Sequence, residues 1–118
     1  MKHIISRIVL GSDLNHHGTL FAGQMAKWVV EACLVHAVKL YGRAENLVCV
    51  NIQGLTFKHP VDSGEVIDIE TFVERLGTTS LTIGARVSTA DPILETAITF
   101  VTLDSKGRPA PHNLGPES

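Results

Sequence analysis

The chain has 118 residues, of which 44% are hydrophobic and 19% charged, with a formal net charge of −2. That length and apolar content fit a single globular domain and exclude a disordered chain. Ten Lys and Arg set against twelve Asp and Glu form no basic stripe. This excludes a nucleic-acid footprint, although local cations can still hold an anionic ligand.

His3 to Leu10 predicts a first strand, with Ile4, Ile5, Ile8 and Val9 supplying β-branched bulk. The apolar run there is too short for a secretory leader, and a cytoplasmic location is expected. Gly11-Ser12-Asp13 closes the strand, and a loop continues to Gly18. From about Leu20 to Tyr41 no proline interrupts a series of helix formers. This predicts a helix roughly 30 Å long, stopped by Gly42. Met25, Trp28, Val29, Ala32 and Val35 make one apolar face; Val30, Cys33, Leu34, Ala37 and Val38 cover much of another. A helix apolar nearly all round is expected to be buried. Gln24, Lys27 and Glu31 form its one narrow polar stripe. Lys27, Glu31 and His36 break the longest apolar stretch, so no membrane span is expected.

Strand patterns follow. Leu47 to Lys58 predicts one, with Gly54 as a bulge or close approach. Pro60 to Gly64 is a turn. In Val66 to Leu76, Ile67, Ile69, Thr71 and Val73 oppose Asp68, Glu70 and Glu74, as in an antiparallel sheet covered on one face. Gly77-Thr78-Thr79 turns the chain, and Leu81, Ile83, Ala85 and Val87 alternate up to Ala90-Asp91-Pro92. Leu94 to Leu103 predicts the last strand, and residues 104–118 form a polar C-terminal tail with three prolines. Cys33 and Cys49 sit in apolar segments and are expected to be buried free thiols.

The order is strand, long helix, four strands with short connections. It predicts an α+β fold, one domain over residues 1–118, in which a five-stranded antiparallel sheet wraps one central helix. Such a sheet cannot cover the helix on every side, and it leaves open edges. Self-association to a dimer or higher is therefore expected, with a site where the helix start meets the other chain.

The chemistry concentrates between Asn15 and Glu31. A glycine-bearing loop runs into the helix, whose first turn offers free backbone N–H groups. Those groups and the helix dipole favour negative charge, such as the oxygen of a carbonyl under attack. Glu31 stands about two turns further on. It is either an acid–base or nucleophilic group or the ion-pair partner of Lys27. Asn15 either aligns a reactant or bonds its own loop. Thr19 either caps the helix, the favoured reading, or faces a ligand. Small side chains at Ala22 and Gly23 either let a ligand approach the backbone closely, the favoured reading, or make a tight packing contact against the sheet. The six histidines show no metal-ligand spacing, so no metal is expected, and His36 is read as a packed core residue.

Several segments together resemble the hotdog-fold acyl-CoA thioesterases, in particular their acyl-CoA hydrolase branch. They are Asn15 to Gly23, Lys27-Trp28, Glu31-Ala32, Phe57 to Val61, Gly64-Glu65-Val66, Arg75 to Leu81, Leu103-Asp104 and Lys106 to Pro109. Three positions depart from that pattern. Phe21-Ala22-Gly23 stands where many relatives have His-Gly-Gly, Thr19 where many have Asp or Asn, and Val30 where many have a catalytic Asp. The resemblance implies hydrolysis of an acyl-CoA thioester. Glu31, Asn15 and Thr19 would be the catalytic groups, and the amides of Phe21, Ala22 and Gly23 would sit on the thioester oxygen. Thr79 and Ser80 would meet the pantetheine arm or serve only the hairpin, and Lys106 and Arg108, before Lys58 and Arg75, would meet the phosphates or be simply solvated. Coenzyme A would enter only as part of the substrate, with no other cofactor. Two alternatives remain open: an enoyl-CoA hydratase-type lyase, suggested by Asp13-Leu14-Asn15-His16-His17, and a non-catalytic acyl-thioester binding protein.

Overall fold

The computed structural model describes residues 2–115. Strand β1 (Lys2–Ile8) leads through a short 3-10 turn (Gly11–Asp13) to helix α1 (Ala22–Tyr41). Strands β2 (Leu47–Ile52), β3 (Val66–Leu76), β4 (Ser80–Ser88) and β5 (Pro92–Thr102) follow. They form one five-stranded sheet in the order β1-β3-β4-β5-β2. All four neighbouring pairs are antiparallel. The expected architecture is therefore present: one long helix lies on one antiparallel sheet.

The register explains the core. Ile5 pairs with Ile69, Ile69 with Val87, and Ile83 with Ile98. These positions share the face under the helix, because side chains alternate along each strand. Ile67, Ile69, Leu81, Ile83, Ala85, Ile98 and Phe100 meet Met25, Trp28, Val29, Ala32 and Cys33 of α1 there. Gly84 opens the opposite face: a Cβ there would stand 2.4 Å from the Phe72 ring, which lies across it under Arg86.

Several expectations change. β1 ends at Ile8 rather than Leu10, because Val9 already bonds to Glu65 across the gap to the β3 side. β2 ends at Ile52, and residues 53–58 continue as irregular chain tied to β5 by Gln53 N–H on Ala97 and Lys58 N–H on Ile93. The bulge falls between Cys49 and Asn51, while Gly54 stands in open space. The helix is not covered all round, since Leu34 and Val35 are exposed on its outer side. Cys33 is a buried free thiol, but Cys49 is an exposed one, because it lies on the edge strand. The polar tail folds back: Ala110 N–H bonds to Thr102, and His112 Nε2 lies 3.0 Å from the Ser80 carbonyl. Pro116, Glu117 and Ser118 of the expected tail lie outside the described residues.

Candidate active site

Two ends of the subunit carry the predicted site residues. At the first, the loop before α1 folds on itself. Asn15 Oδ1 accepts the N–H of His17 at 2.8 Å and of Thr19 at 3.2 Å, and its amide nitrogen donates to Thr19 Oγ1 at 3.1 Å. This is the side-chain turn that Asn favours. Both polar atoms of Asn15 thus serve the loop in this conformation. The loop then pairs with the turn after Pro60, through Leu20 N–H on the Val61 carbonyl and the bridge of Thr19 to Asp62.

Thr19 does not cap the helix. The N-cap is Phe21, whose side chain makes no cap hydrogen bond. Thr19 is two residues too early because the Leu20–Val61 pairing keeps the chain extended up to Phe21. The N–H groups of Gln24 and Met25 both reach the Phe21 carbonyl. Among the described residues, no acceptor faces the N–H of Ala22 or Gly23, and both residues are exposed. Two unpaired donors thus stand at the positive end of a 20-residue helix, where the dipole favours negative charge. The Phe21 ring folds over this turn: a Cβ on Gly23 would stand 2.5 Å from it, and this exposed ring would have to swing aside.

Glu31 is placed differently. Its side chain is 46% exposed and faces Arg7 of β1 at 3.6 Å and Lys27 at 4.0 Å. Arg7 also lies over Trp28, 5.5 Å from the ring centre. Glu31 is thus on the flank of α1 that meets β1. Each helical step turns about 100°, so Gly23, Ala26 and Val30 share the other flank, away from β1. Val30 thus lies on the flank opposite the one that carries Glu31.

The second group of residues gathers at the far end of α1, about 30 Å away along the helix. The Thr79 carbonyl accepts the N–H of Thr102, and the next residue, Leu103, bonds to Asn46 in the loop after α1. Lys106 and Arg108 project from an exposed turn organised by Asp104, whose Oδ1 accepts both their N–H groups at 2.8 and 3.0 Å. Arg75, with Val73, Leu76, Gly77 and Leu114, lines a cavity of about 450 Å³ at this same end. The structure thus brings Asn15, Thr19, Phe21, Ala22 and Gly23 together, and Thr79, Ser80, Lys106 and Arg108 together. It does not bring the two groups together within one chain.

Three residues have structural roles that the sequence did not assign them. Arg7 holds Glu31 but reads as one polar residue in a β pattern. Asp13 is buried, and Leu10 N–H followed by the Gln24 amide hold its carboxyl below the ordinary carboxylate range. Its place beside Gly11-Ser12 at the end of a strand was the available signal. His59 Nδ1 donates to the Pro60 carbonyl at 3.0 Å, and its Nε2 is buried with no hydrogen-bond partner among the described residues. His36 is a packed core residue, 2.9 Å from Thr71 Oγ1 and edge-on to His3. Among the described residues, no three His, Cys, Asp or Glu are grouped closely enough to hold a metal ion. None of the helices there is long and apolar enough to cross a membrane.

A helix wrapped by an antiparallel sheet, with free amides where a glycine-bearing loop enters the helix, defines a hotdog-fold protein of the thioesterase kind. Residues 17–96 match the thioesterase superfamily, and the chain belongs to that family. A curated relative is the uncharacterized acyl-CoA thioester hydrolase YkhA of Bacillus subtilis (strain 168), 28% identical over 106 residues. That match takes in 84% of this chain, which spans 60% of the relative's length. Among solved structures, an apo-hexameric acyl-CoA thioesterase superposes with a TM-score of 0.86 at 29% identity, over 99% of this chain and 79% of the other. The acyl-CoA hydrolase of Staphylococcus aureus, solved with butyryl coenzyme A, coenzyme A and coenzyme A disulfide, gives 0.81 at 26% identity, over 93% and 68%.

Proposed function

We propose that the protein hydrolyses acyl-CoA thioesters to the free acid and coenzyme A, as a single hotdog domain over residues 1–118 acting in the cytoplasm. One observation carries this reading: the unpaired N–H groups of Ala22 and Gly23, beside a glycine-bearing loop, in a chain of the thioesterase superfamily. There the thioester oxygen gains negative charge as the carbonyl is attacked, and the two donors stabilise it. Glu31 is the only carboxylate on α1. It attacks the carbonyl or takes a proton from water. Its ion pairs at 3.6 and 4.0 Å are exposed. Such pairs are worth about 0–1 kcal/mol, so turning the carboxylate off Arg7 toward the crest of the helix costs little. Asn15 and Thr19 shape the loop against the reacting group, and Phe21 covers it. Coenzyme A is part of the substrate and no other cofactor takes part. Two free thiols agree with a reducing compartment.

The active unit is a dimer or a higher assembly. β2 is an open edge, and its sequence Leu-Val-Cys-Val-Asn-Ile carries no charge or proline. Val48, Val50 and Ile52 are exposed along it. Monomers blunt such edges, so an uncharged one is built for pairing. The other edge, β1, carries Lys2 and Arg7. Antiparallel pairing of β2 with its own copy requires a two-fold axis perpendicular to the sheet. That operation keeps both helices on one face and reverses the ends. The free amides of one subunit then lie at the same end as the partner's Thr79, Ser80, Lys106 and Arg108. Two half-sites about 30 Å apart in one chain become one composite site. The acyl carbonyl sits at one helix start, and the pantetheine and phosphates run onto the partner.

Thiol release from a panel of acyl-CoA esters tests the reading. Release with at least one chain length is expected, and no release across the panel refutes it. One observation favours a second reading, binding without turnover: the helix flank beside the free amides carries Val30 and no acid. Saturable binding of a non-hydrolysable acyl-CoA analogue, without thiol release from the parent ester, separates the two.

A further inference from the structure

One carboxylate ties the turn after β1 to the start of α1. Asp13 is 8% exposed. Its Oδ2 accepts Leu10 N–H at 2.9 Å, and its Oδ1 accepts Gln24 Nε2 at 2.9 Å. Its main chain closes the same ring: its N–H donates to the Leu10 carbonyl at 2.9 Å, and its carbonyl accepts Phe21 N–H at 2.8 Å. Phe21 is the N-cap of α1 and Gln24 is the third residue inside the helix. Ala22 and Gly23, whose N–H groups are free, are the two residues between them. The N-cap side chain gives the helix start no support of its own. Asp13 therefore supplies from outside the anchorage that a capping side chain would supply from within.

We propose that Asp13, acting through Gln24 and Phe21, is the positioning residue that aims the Ala22 and Gly23 amides at the reacting oxygen. This rests on the thioesterase reading above. Asp13 touches neither substrate nor the reacting atoms. It fixes both sides of the two-residue segment that does. Oxyanion donors act on the transition state and little on the ground state, so loosening them lowers kcat and leaves KM nearly unchanged. A shift of about 1 Å in such donors costs up to about 100-fold in rate.

Four variants test this. Asp13→Ala and Gln24→Ala each remove the grip, and kcat is expected to fall about 10- to 100-fold with KM within about threefold. Asp13→Asn restores it: its oxygen accepts Leu10 N–H and its amide donates to a flipped Gln24, so kcat returns to within about threefold of the parent. Gln24→Glu sets two carboxylates face to face at neutral pH. As pH falls, the facing carboxyl pair takes up one proton, and the protonated group donates to the other across the contact that joins Asp13 to residue 24 in the parent. The activity of this variant relative to the parent is therefore expected to rise on acidification, which a purely structural loss does not produce. Parental kcat in Asp13→Ala, failure of Asp13→Asn to restore kcat, or a flat pH ratio in Gln24→Glu overturns the proposal. Absence of thiol release in the parent refutes the thioesterase reading itself. The grip is then read from hydrogen exchange at the Phe21 amide, expected to quicken at least about tenfold in Asp13→Ala; unchanged exchange there overturns it.

Discussion

Glu31 shows how little room one residue leaves. A single helical position separates it from Val30, and that step of about 100° puts the carboxylate on the β1 flank of α1, beside Arg7. Its two cationic partners are exposed, so they hold it weakly and contribute little to folding. Glu31→Gln is therefore expected to leave unfolding free energy within about 1 kcal/mol of the parent while lowering thiol release at least about 100-fold, the cost of losing a general base. Urea titration and initial rates on the same preparation check both halves. Unchanged turnover in the folded variant removes Glu31 from the mechanism. The sequence exposed Glu31 because it is the single acid in an apolar helix. It could not show the direction of the side chain, which depends on Arg7 lying on a strand that returns to the helix only in the folded sheet. Thr19 misled for a similar reason. Threonine before a helix reads as a cap, and only the Leu20–Val61 hydrogen bond reveals that the chain stays extended for two residues more.

The strands from β3 onward were legible because alternation is local: Val66–Leu76 has the expected bounds, with Ile67, Ile69 and Thr71 buried and Asp68 exposed. The end of β2 was not, because residues 53–58 keep an apolar pattern while bonding to β5 only at intervals. The helix stop was legible for a physical reason that can be measured. Gly42 has φ 100° and its N–H closes onto Val38, a left-handed turn that a side chain disfavours. Gly42→Ala is expected to destabilise the fold by about 1 kcal/mol, since nothing stands within 4 Å of the added methyl and only backbone strain is introduced. Thermal unfolding checks it, and a variant as stable as the parent would show that the strain is relieved by moving the helix end. The loop before α1 behaves in the opposite way. Its order comes from Asn15 and Asp13 side chains that bond backbone across several residues, so it was visible in the sequence as a set of loop-forming residues without a shape.

At the scale of the whole molecule, the open β2 edge and the two separated half-sites are one problem with one solution. Val50 is 56% exposed in the single chain, so a charge there spares the subunit core and strikes only the seam. Val50→Lys is expected to reduce the sedimenting mass to that of one chain while the far-ultraviolet circular dichroism stays native. Thiol release falls with it, because Ala22 and Gly23 lose the partner's Thr79, Ser80, Lys106 and Arg108. Mixing experiments then separate a shared site from mere stabilisation by contact. One chain carries Glu31→Gln, and the other carries Lys106→Ala with Arg108→Ala. Each alone is slow, since both sites of its dimer hold the same lesion. After denaturation and joint refolding, about half the dimers are hybrids, and the two-fold geometry puts both lesions in one site and leaves the other whole. Recovery of about a quarter of the parental activity is expected. If each chain instead holds a complete site, every site in the mixture keeps one lesion, and refolding together recovers nothing.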